Sequence, residues 1–185
     1  MIRSARISDV PAINELITAS AERGLMLFRP LADLYEKIRQ FVVWEESGQV
    51  LGCCALEIVW RDLAEVKSLA VRDGCRGKGV GRSLVEAVEA EAIALGLERI
   101  FALTRERKFF ERLGFVMVPK ESLPHKVWSD CVKCPRMHDC DEEAVCKPLN
   151  EAGWRDLHEA VERVSTSPGQ PGQAGKHEPF DVFPG

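Results

Sequence analysis

The spacing of apolar positions changes several times along the chain, and each change marks an element. Residues 2–7 read as a short strand, after which Ser8 or Asp9 offers a helix cap and Pro11 suits a first helical turn. Ile13, Leu16, Ile17 and Ala21 then recur at helical spacing until Gly24 stops the run. A second amphipathic stretch follows Pro30, with Leu31, Leu34, Tyr35 and Ile38 on one face. β-formers take over at 41–45 and 50–60, divided by the turn Glu46-Ser47-Gly48-Gln49, and again at 63–71 with Leu63, Ala64, Val66, Leu69 and Val71 as the apolar set. Leu84, Val88, Ala92 and Leu95 form one helical stripe that Gly96 ends. A strand at 99–103, a short helix at 108–113 stopped by Gly114, and a final strand at 115–118 complete the pattern. This order predicts an α/β (α+β) design, a mixed central sheet flanked by helices.

The C-terminal stretch reads differently. Residues 151–164 suit a helix with Trp154, Leu157, Val161 and Val164 on one face. From 165 to 185 Gly, Pro, Gln and Ser dominate, a composition too poor in apolar surface to offset ordering entropy, so a disordered tail is expected. The organisation expected is therefore one domain at 1–149, a C-terminal helix at 150–164 and a tail at 165–185. A length of 185 residues agrees with one domain plus some extra chain, taking roughly 150 residues per domain.

The chemistry concentrates between the strand at 63–71 and the helix after it. Arg76-Gly77-Lys78-Gly79-Val80-Gly81-Arg82-Ser83 combines small residues, which let consecutive N–H groups converge, with the positive end of a helix and three cations. That arrangement suits a pyrophosphate or similar polyanion; the alternative is a tight turn carrying solvated basic residues. The Gly-Lys-Ser/Thr ending of a P-loop is missing, and the loop follows an interior strand, which argues against a triphosphatase and a dinucleotide fold. Charge narrows the ligand further. With 25 Lys and Arg against 29 Asp and Glu, the net charge is −4, so the chain lacks the basic excess that nucleic-acid binding draws on. No apolar run approaches the roughly 20 residues that span a bilayer, and the N-terminus leads into a capped helix pattern in place of a signal-peptide core. Seven cysteines in such a chain predict reduced thiols in a cytoplasm.

Two motifs carry a family resemblance. Leu69-Ala70-Val71 followed by Arg76-x-x-Gly79-x-Gly81 resembles the acetyl-CoA motif of the GNAT N-acetyltransferases, and Phe109-Phe110-Glu111-Arg112-Leu113-Gly114-Phe115 resembles their second signature. The resemblance implies a GNAT fold, loop amides from Arg76 to Ser83 on the CoA pyrophosphate, and backbone groups of Leu69 and Val71 on a splayed strand holding the pantetheine arm and acetyl oxygen. It also brings Phe109 and Phe110 to the cofactor site. Within the superfamily the chain resembles the acetyltransferase domain of N-acetylglutamate synthase, through Gly24-Leu25-Met26-Leu27-Phe28-Arg29-Pro30, Gly52-Cys53-Cys54-Ala55-Leu56, the run from Leu63 to Val71, Leu103-Thr104 and Leu123-Pro124-His125-Lys126-Val127-Trp128. What that implies is acetyl transfer from acetyl-CoA to the α-amine of L-glutamate, in arginine biosynthesis, with Arg29 on a glutamate carboxylate. The amino-acid kinase domain of long-form synthases has no counterpart, so arginine feedback through such a domain is not expected. Phe110 stands where many superfamily members use Tyr as general acid, so the leaving group must be protonated from elsewhere or from water.

The remaining candidates follow from what acyl transfer requires: a neutral amine, a polarised thioester carbonyl and a route for the amine's proton. Glu65 precedes the loop and is the expected base through a water; its alternative is a strand carboxylate paired with Lys67 on the same face. Arg29, Lys67 and Arg72 are the cations available to a dicarboxylate, Arg29 foremost because of its bidentate geometry. Thr104 suits either a substrate bond or a cap. Cys131, Cys134 and Cys140, with Cys146, His125 and His138 near in sequence, have part of a zinc-site spacing; a structural metal, reduced thiols and a disulfide all remain open. Cys53 and Cys54 alternate on a strand, so at least one is expected to be buried; Cys75 sits beside Arg76 without an evident catalytic partner. Trp44, Trp60 and Trp128 are expected as core or interface anchors. The partners expected are acetyl-CoA and L-glutamate, with no nucleic acid and no membrane; a homodimer is compatible with the chain. Two other functions stay open: acetylation of another small amine, and a non-enzymatic acetyl-CoA-binding regulator.

Overall fold

A computed structural model describes residues 1–124 and 140–166 of the chain. The elements are β1 (Ile2–Ser4), α1 (Val10–Glu22), α2 (Leu31–Glu36), β2 (Phe41–Glu46), β3 (Gln49–Trp60), β4 (Leu63–Val71), α3 (Val80–Ala94), β5 (Arg99–Thr104), α4 (Arg107–Glu111), β6 (Val116–Val118), β7 (Glu143–Pro148) and α5 (Glu151–Thr166). The strands form one sheet in the order β1-β2-β3-β4-β5-β7-β6, antiparallel except for the parallel β4–β5 pair.

Strand alternation sorts the core onto the two faces. Val42, Cys54, Leu56, Ala64, Val66, Ile100, Ala102 and Val145 point to one face, where Leu84, Val85, Val88 and Ala92 of α3 cover them. On the other face the core is split. Val10, Ile13, Leu16 and Ile17 of α1 cover Phe41, Val43, Cys53 and Ala55, while a separate cluster holds Leu63, Phe101, Val118, Ala144, Cys146 and Leu157. Cys53 and Cys54 are both buried, one on each face.

The gap between those two clusters lies where β4 and β5 part. They pair only over Leu63–Arg99, Ala64–Ile100 and Glu65–Phe101, after which β5 continues against β7 and β4 continues against β3. Beyond Glu65, the β5 side of β4 therefore has no neighbouring strand among the described residues. A bulge falls in the same stretch: Cys53 pairs with Ala70 but Ala55 with Lys67, and Ser68 sits at φ 53°. One extra residue reverses the inside–outside alternation, so Leu69 and Val71 join Ala64 and Val66 on the α3 side.

Several expectations are corrected. Asp9 stands at the α1 N-cap, but its carboxylate makes no cap bond there; it accepts from Arg3 Nη1 (2.6 Å), Arg3 Nη2 (3.0 Å) and the Arg6 N–H (2.7 Å). Leu31, Tyr35, Leu95 and Trp154 are exposed: α2 is too short to bury a full stripe, Leu95 follows the last residue of α3, and Trp154 lies in the first turn of α5. Trp60, at the end of β3, is exposed too, which removes the core alternative for it. The last strand is β7, not the strand at 115–118: Ala144 and Cys146 face the α5 cluster and Val145 faces α3, which inserts β7 between β5 and β6. The terminal helix is docked and runs to Thr166, two residues into the stretch expected to be disordered. Its own Leu157 and Ala160 are buried, Asn150 Oδ1 accepts the Gly153 N–H at 2.9 Å, and a Cβ at Gly153 would stand 2.0 Å from the Glu98 carbonyl oxygen. The rest of the expected tail, together with His125, Trp128, Cys131, Cys134 and His138, lies outside the described residues.

Candidate active site

The parted strands open into a cavity of about 1210 Å³. Its walls come from the loop between α1 and α2, from β4 on either side of the bulge, from the loop before α3, and from the C-terminal end of β5 with α4. Glu65, Lys67, Leu69, Val71, Arg76, Gly77, Gly81, Thr104, Phe109, Phe110 and Arg29 all line it, so candidates separated by up to 81 positions are brought together.

At the loop end, Gly77 and Gly79 adopt φ 75° and 85°, a region in which a Cβ is disfavoured, and Gly79 is the α3 N-cap. The Ser83 N–H bonds to the Gly79 carbonyl, whereas the first-turn N–H groups of Val80, Gly81 and Arg82 precede any intrahelical acceptor. Those donors and the helix dipole make an anion nest. A Cβ at Gly81 would stand 3.5–3.7 Å from Phe109 and Val71, and without one the backbone there is free of a side chain of its own. Val80 itself is 5% exposed and packs in the core, so only its backbone is available to a ligand. Lys78, Arg82 and Ser83 stand outside the cavity wall, with Arg82 3.6 Å from Glu86. Ala70 is turned into the opposite core, and Arg72 is outside the wall, its Nη2 donating to the Val50 carbonyl.

At the other end, Arg29 is held over the Phe41 ring at 5.6 Å. Its Nε donates to Asp33 at 2.8 Å and its Nη1 to Ser68 Oγ at 2.9 Å, so the bulge anchors it directly. Arg105 secures the same loop: Nη1 donates to the Gly24 carbonyl at 2.9 Å and Nε to Asp141 at 2.7 Å, bridging the two halves of the parted sheet. Glu65 is 9% exposed and 3.5 Å from the Lys67 ammonium, as the shared strand face predicts. Thr104 Oγ1 accepts the Glu106 N–H at 2.9 Å in the turn that leads into α4, and Thr104 also lines the cavity. Phe110 packs edge-on against Phe109 and Phe115 and has no proton to give. Cys140, one of three metal candidates, is exposed at the cavity edge with Lys120 Nζ 3.2 Å from its sulfur.

Sequence reasoning missed Asp33, Lys37 and Glu57. Asp33 bonds Arg29 and lies 3.5 Å from Lys37; Lys37 Nζ is 3.1 Å from Glu57 Oε1; and Glu57 Oε2 is 2.9 Å from Lys67. Arg29, Asp33 and Lys37 recur every four residues, which was the available signal. Burial pushes the Glu57 carboxyl up, but Lys67 and Lys37 outweigh it and hold the group below its usual range.

A nest for phosphates, an unpaired strand side for an extended arm, and a buried carboxylate on the same cavity wall fit a CoA thioester. Comparison with known proteins decides the family: residues 12–115 match the acetyltransferase (GNAT) family. The chain belongs to that family. This GNAT acetyltransferase, with acetyl-CoA as its acyl donor, is 43% identical to an uncharacterised N-acetyltransferase of Chlorobaculum tepidum over 80% of the chain and 96% of that protein. It is 37% identical to an amino-acid acetyltransferase of Mycobacterium tuberculosis over 70% of the chain and 76% of that protein. Among solved structures, a Mycobacterium tuberculosis protein in complex with CoA and a second ligand superposes with a TM-score of 0.72 at 30% identity, covering 81% of this chain and 99% of that one. N-acetylglutamate synthase of Neisseria gonorrhoeae, complexed with coenzyme A and N-acetyl-glutamate, gives 0.74 at 28% identity, with 82% of this chain covering 35% of that longer protein. Among the described residues, no helix of this GNAT chain is long and apolar enough to cross a membrane.

Proposed function

We propose that the protein transfers acetyl from acetyl-CoA to the α-amino group of L-glutamate, giving N-acetyl-L-glutamate for arginine biosynthesis. The observation that carries this reading is Arg29. Its guanidinium lines the cavity wall opposite the loop nest, pre-oriented by Asp33 and Ser68, with three of its five N–H groups engaged by those partners. A forked cation with donors to spare is what a carboxylate of an amino-acid substrate needs. The names of the relatives, amino-acid acetyltransferase and N-acetylglutamate synthase, support the same class.

The chemistry runs as a direct transfer. The substrate's ammonium gives one proton to Glu65, through a water, and the freed lone pair attacks the thioester carbonyl. Backbone donors on the unpaired side of β4 suit the oxyanion that forms. The C–S bond then breaks, the nitrogen loses its second proton, and CoA leaves as a thiolate. Because a thiol has a pKa near 8.5, the thiolate is a stable leaving group that solvent protonates, so Phe110 in place of a tyrosine is compatible with turnover. Reactants and products balance as ammonium plus acetyl-CoA giving amide, CoA thiol and one proton.

The test is CoA release measured across the amino acids at saturating acetyl-CoA. Glutamate is expected to give the highest kcat/KM; release that no amino acid stimulates, or that a different amine stimulates best, would overturn the assignment.

A further inference from the structure

Glu57 is absent from the cavity wall, yet it organises the charges that are on it. β3 and β4 set Glu57 opposite Glu65, two carboxylates on neighbouring strands that repel unless a cation stands between them. Lys67 is that cation, 2.9 Å from Glu57 and 3.5 Å from Glu65. Lys37 neutralises the other Glu57 oxygen at 3.1 Å and reaches Asp33, which holds Arg29. Arg29, Asp33, Lys37, Glu57, Lys67 and Glu65 thus alternate in sign from the proposed carboxylate-binding end of the cavity to the proposed base.

We propose that Glu57 is a positioning residue that draws the Lys67 ammonium toward itself, so that Glu65 is held in place by the cation without losing its capacity to accept the substrate's proton. The proposal rests on Glu65 being the base. A cation that paired fully with Glu65 would stabilise its ionised form and weaken it as a proton acceptor. Shared between two carboxylates, the ammonium orients Glu65 while a neighbouring negative charge keeps it basic. The lowered titration of Glu57 fits an anion that keeps its charge throughout turnover. Lys67 acts on this reading as a spacer between carboxylates and not as a substrate-binding cation.

The two ends of the Glu57–Lys67 pair must then act in opposite directions. Glu57→Gln removes the anion that competes for Lys67 and the negative charge beside Glu65. Both effects favour ionised Glu65, so the acid limb of the kcat–pH profile moves to lower pH by about one unit and plateau kcat falls by about tenfold. Lys67→Met removes the cation and moves the same limb to higher pH. Among the described residues, the other charged groups facing the cavity, namely Arg76, Glu106, Arg112, Lys120 and Glu142 with the Cys140 thiol, are unchanged in all variants, as are the substrate's own carboxyls. α1 contributes only the Ser20 hydroxyl to this wall and α3 only Gly81, among the described residues.

The experiment is the kcat–pH profile of wild type, Glu57→Gln, Glu57→Asp and Lys67→Met, with thermal melts of each. Opposite displacements for Glu57→Gln and Lys67→Met, with Glu57→Asp near wild type, are expected. An unmoved limb with a lowered Tm would reduce Glu57 to packing and overturn the proposal, as would displacement of both variants in the same direction. Should Glu57→Gln fail to fold, the uncharged double variant Glu57→Gln/Lys67→Met replaces it: its limb is expected at lower pH than that of Lys67→Met, and an identical limb would overturn the proposal. A Glu65→Gln variant separates the two readings: full activity there overturns the base assignment itself, whereas its inactivity with an unmoved limb in the others overturns only the role of Glu57.

Discussion

Replacing Arg29 with Ala tests the substrate reading most directly. In the folded protein its guanidinium is only 12% exposed, and it is fixed by Asp33, Ser68 and the Phe41 ring before any substrate arrives. Hydrogen bonds to charged groups contribute about 1.5–3 kcal/mol each. Two such bonds to a carboxylate, less what water recovers in the emptied space, leave a net loss of about 2–4 kcal/mol, or about 30- to 1000-fold in glutamate KM. Asp33 adds to the effect, because after the substitution only Lys37, 3.5 Å away, offsets its charge against an incoming dicarboxylate. The acetyl-CoA KM is expected to stay within about twofold, since Arg29 lies at the end of the cavity away from the loop nest. Arg29→Lys keeps the charge but not the fork and is expected in between, about tenfold. The variant also gives up the Asp33 and Ser68 bonds and a cation–π contact of about 0.5–1 kcal/mol, so its Tm is expected to fall while the fold holds. Initial-rate kinetics with each substrate varied in turn reads the split. Equal rises in both KM values, or none in that for glutamate, would make Arg29 a staple between the loop and Ser68 and refute its substrate role.

Gly153→Ala would drive a methyl group into the Glu98 carbonyl, 2.0 Å away, where backbone cannot yield easily; a loss of about 2–3 kcal/mol, or about 4–12 °C in Tm, is expected, and an unchanged melt would mean α5 is not docked as described. Gly81→Ala meets Phe109 and Val71 at 3.5–3.7 Å, ordinary contact, so its Tm should be near wild type. Its new methyl nevertheless stands beside the phosphate nest, and acetyl-CoA KM should rise by about tenfold while glutamate KM does not. Asp9→Asn isolates an acid-sensitive pin. The Arg3 hydrogen bonds hold the Asp9 carboxyl below its ordinary value despite partial burial. Its stabilisation, about 1–3 kcal/mol, is therefore complete above the unfolded pKa near 3.9 and disappears as pH falls through the lower folded value. Urea melts should show the full gap between wild type and variant at pH 7 and its closure below about pH 4; a constant gap would assign the difference to packing.

The loop from Arg76 to Ser83 was legible because its chemistry is local: glycines with positive φ, a helix start and a preceding strand are adjacent in sequence. Glu65 beside Lys67 was legible for the same reason, being two residues apart on one strand. Glu57 was not. Its position opposite Glu65 depends on the register of the β3–β4 hairpin, and that register shifts at Cys53–Ala55 and again at Ile58–Trp60. Arg105 depends on still longer connections, to Gly24 and Asp141, that no periodicity announces. Ala144-Val145-Cys146 reads as strand-like, but a run buried on both faces shows no polar alternation, and its place between β5 and β6 was not legible. Tyr35 and Leu95 failed in the opposite sense. Helical spacing assigned them a covered face, but each stands at the last turn of its helix, where no neighbouring element reaches.

The bulge at Ser68 ties these observations to the reaction. An unbroken β4 would alternate through Glu65, Lys67 and then Leu69 on one face, setting an apolar side chain beside the charged array. The extra residue reverses the phase after Lys67, so Glu65 and Lys67 face the acceptor end while Leu69 and Val71 pack toward α3. The hydroxyl at the bulge receives Arg29, which fixes the proposed acceptor-binding cation to the same strand that carries the proposed base. Where the phase changes, β5 is already gone, and the backbone of β4 is open on the side where an acyl arm can pair with it. The proposed base, the hydroxyl that anchors the proposed acceptor clamp, and the open backbone thereby fall within seven consecutive residues of one strand, Glu65 to Val71. Deleting Ser68 removes the bulge while regular alternation still leaves Leu69 on the α3 face, so the sheet can repair itself and what is lost is the anchor of Arg29. Glutamate KM should then rise with the acetyl-CoA KM little changed, and an unchanged glutamate KM would refute the anchoring role.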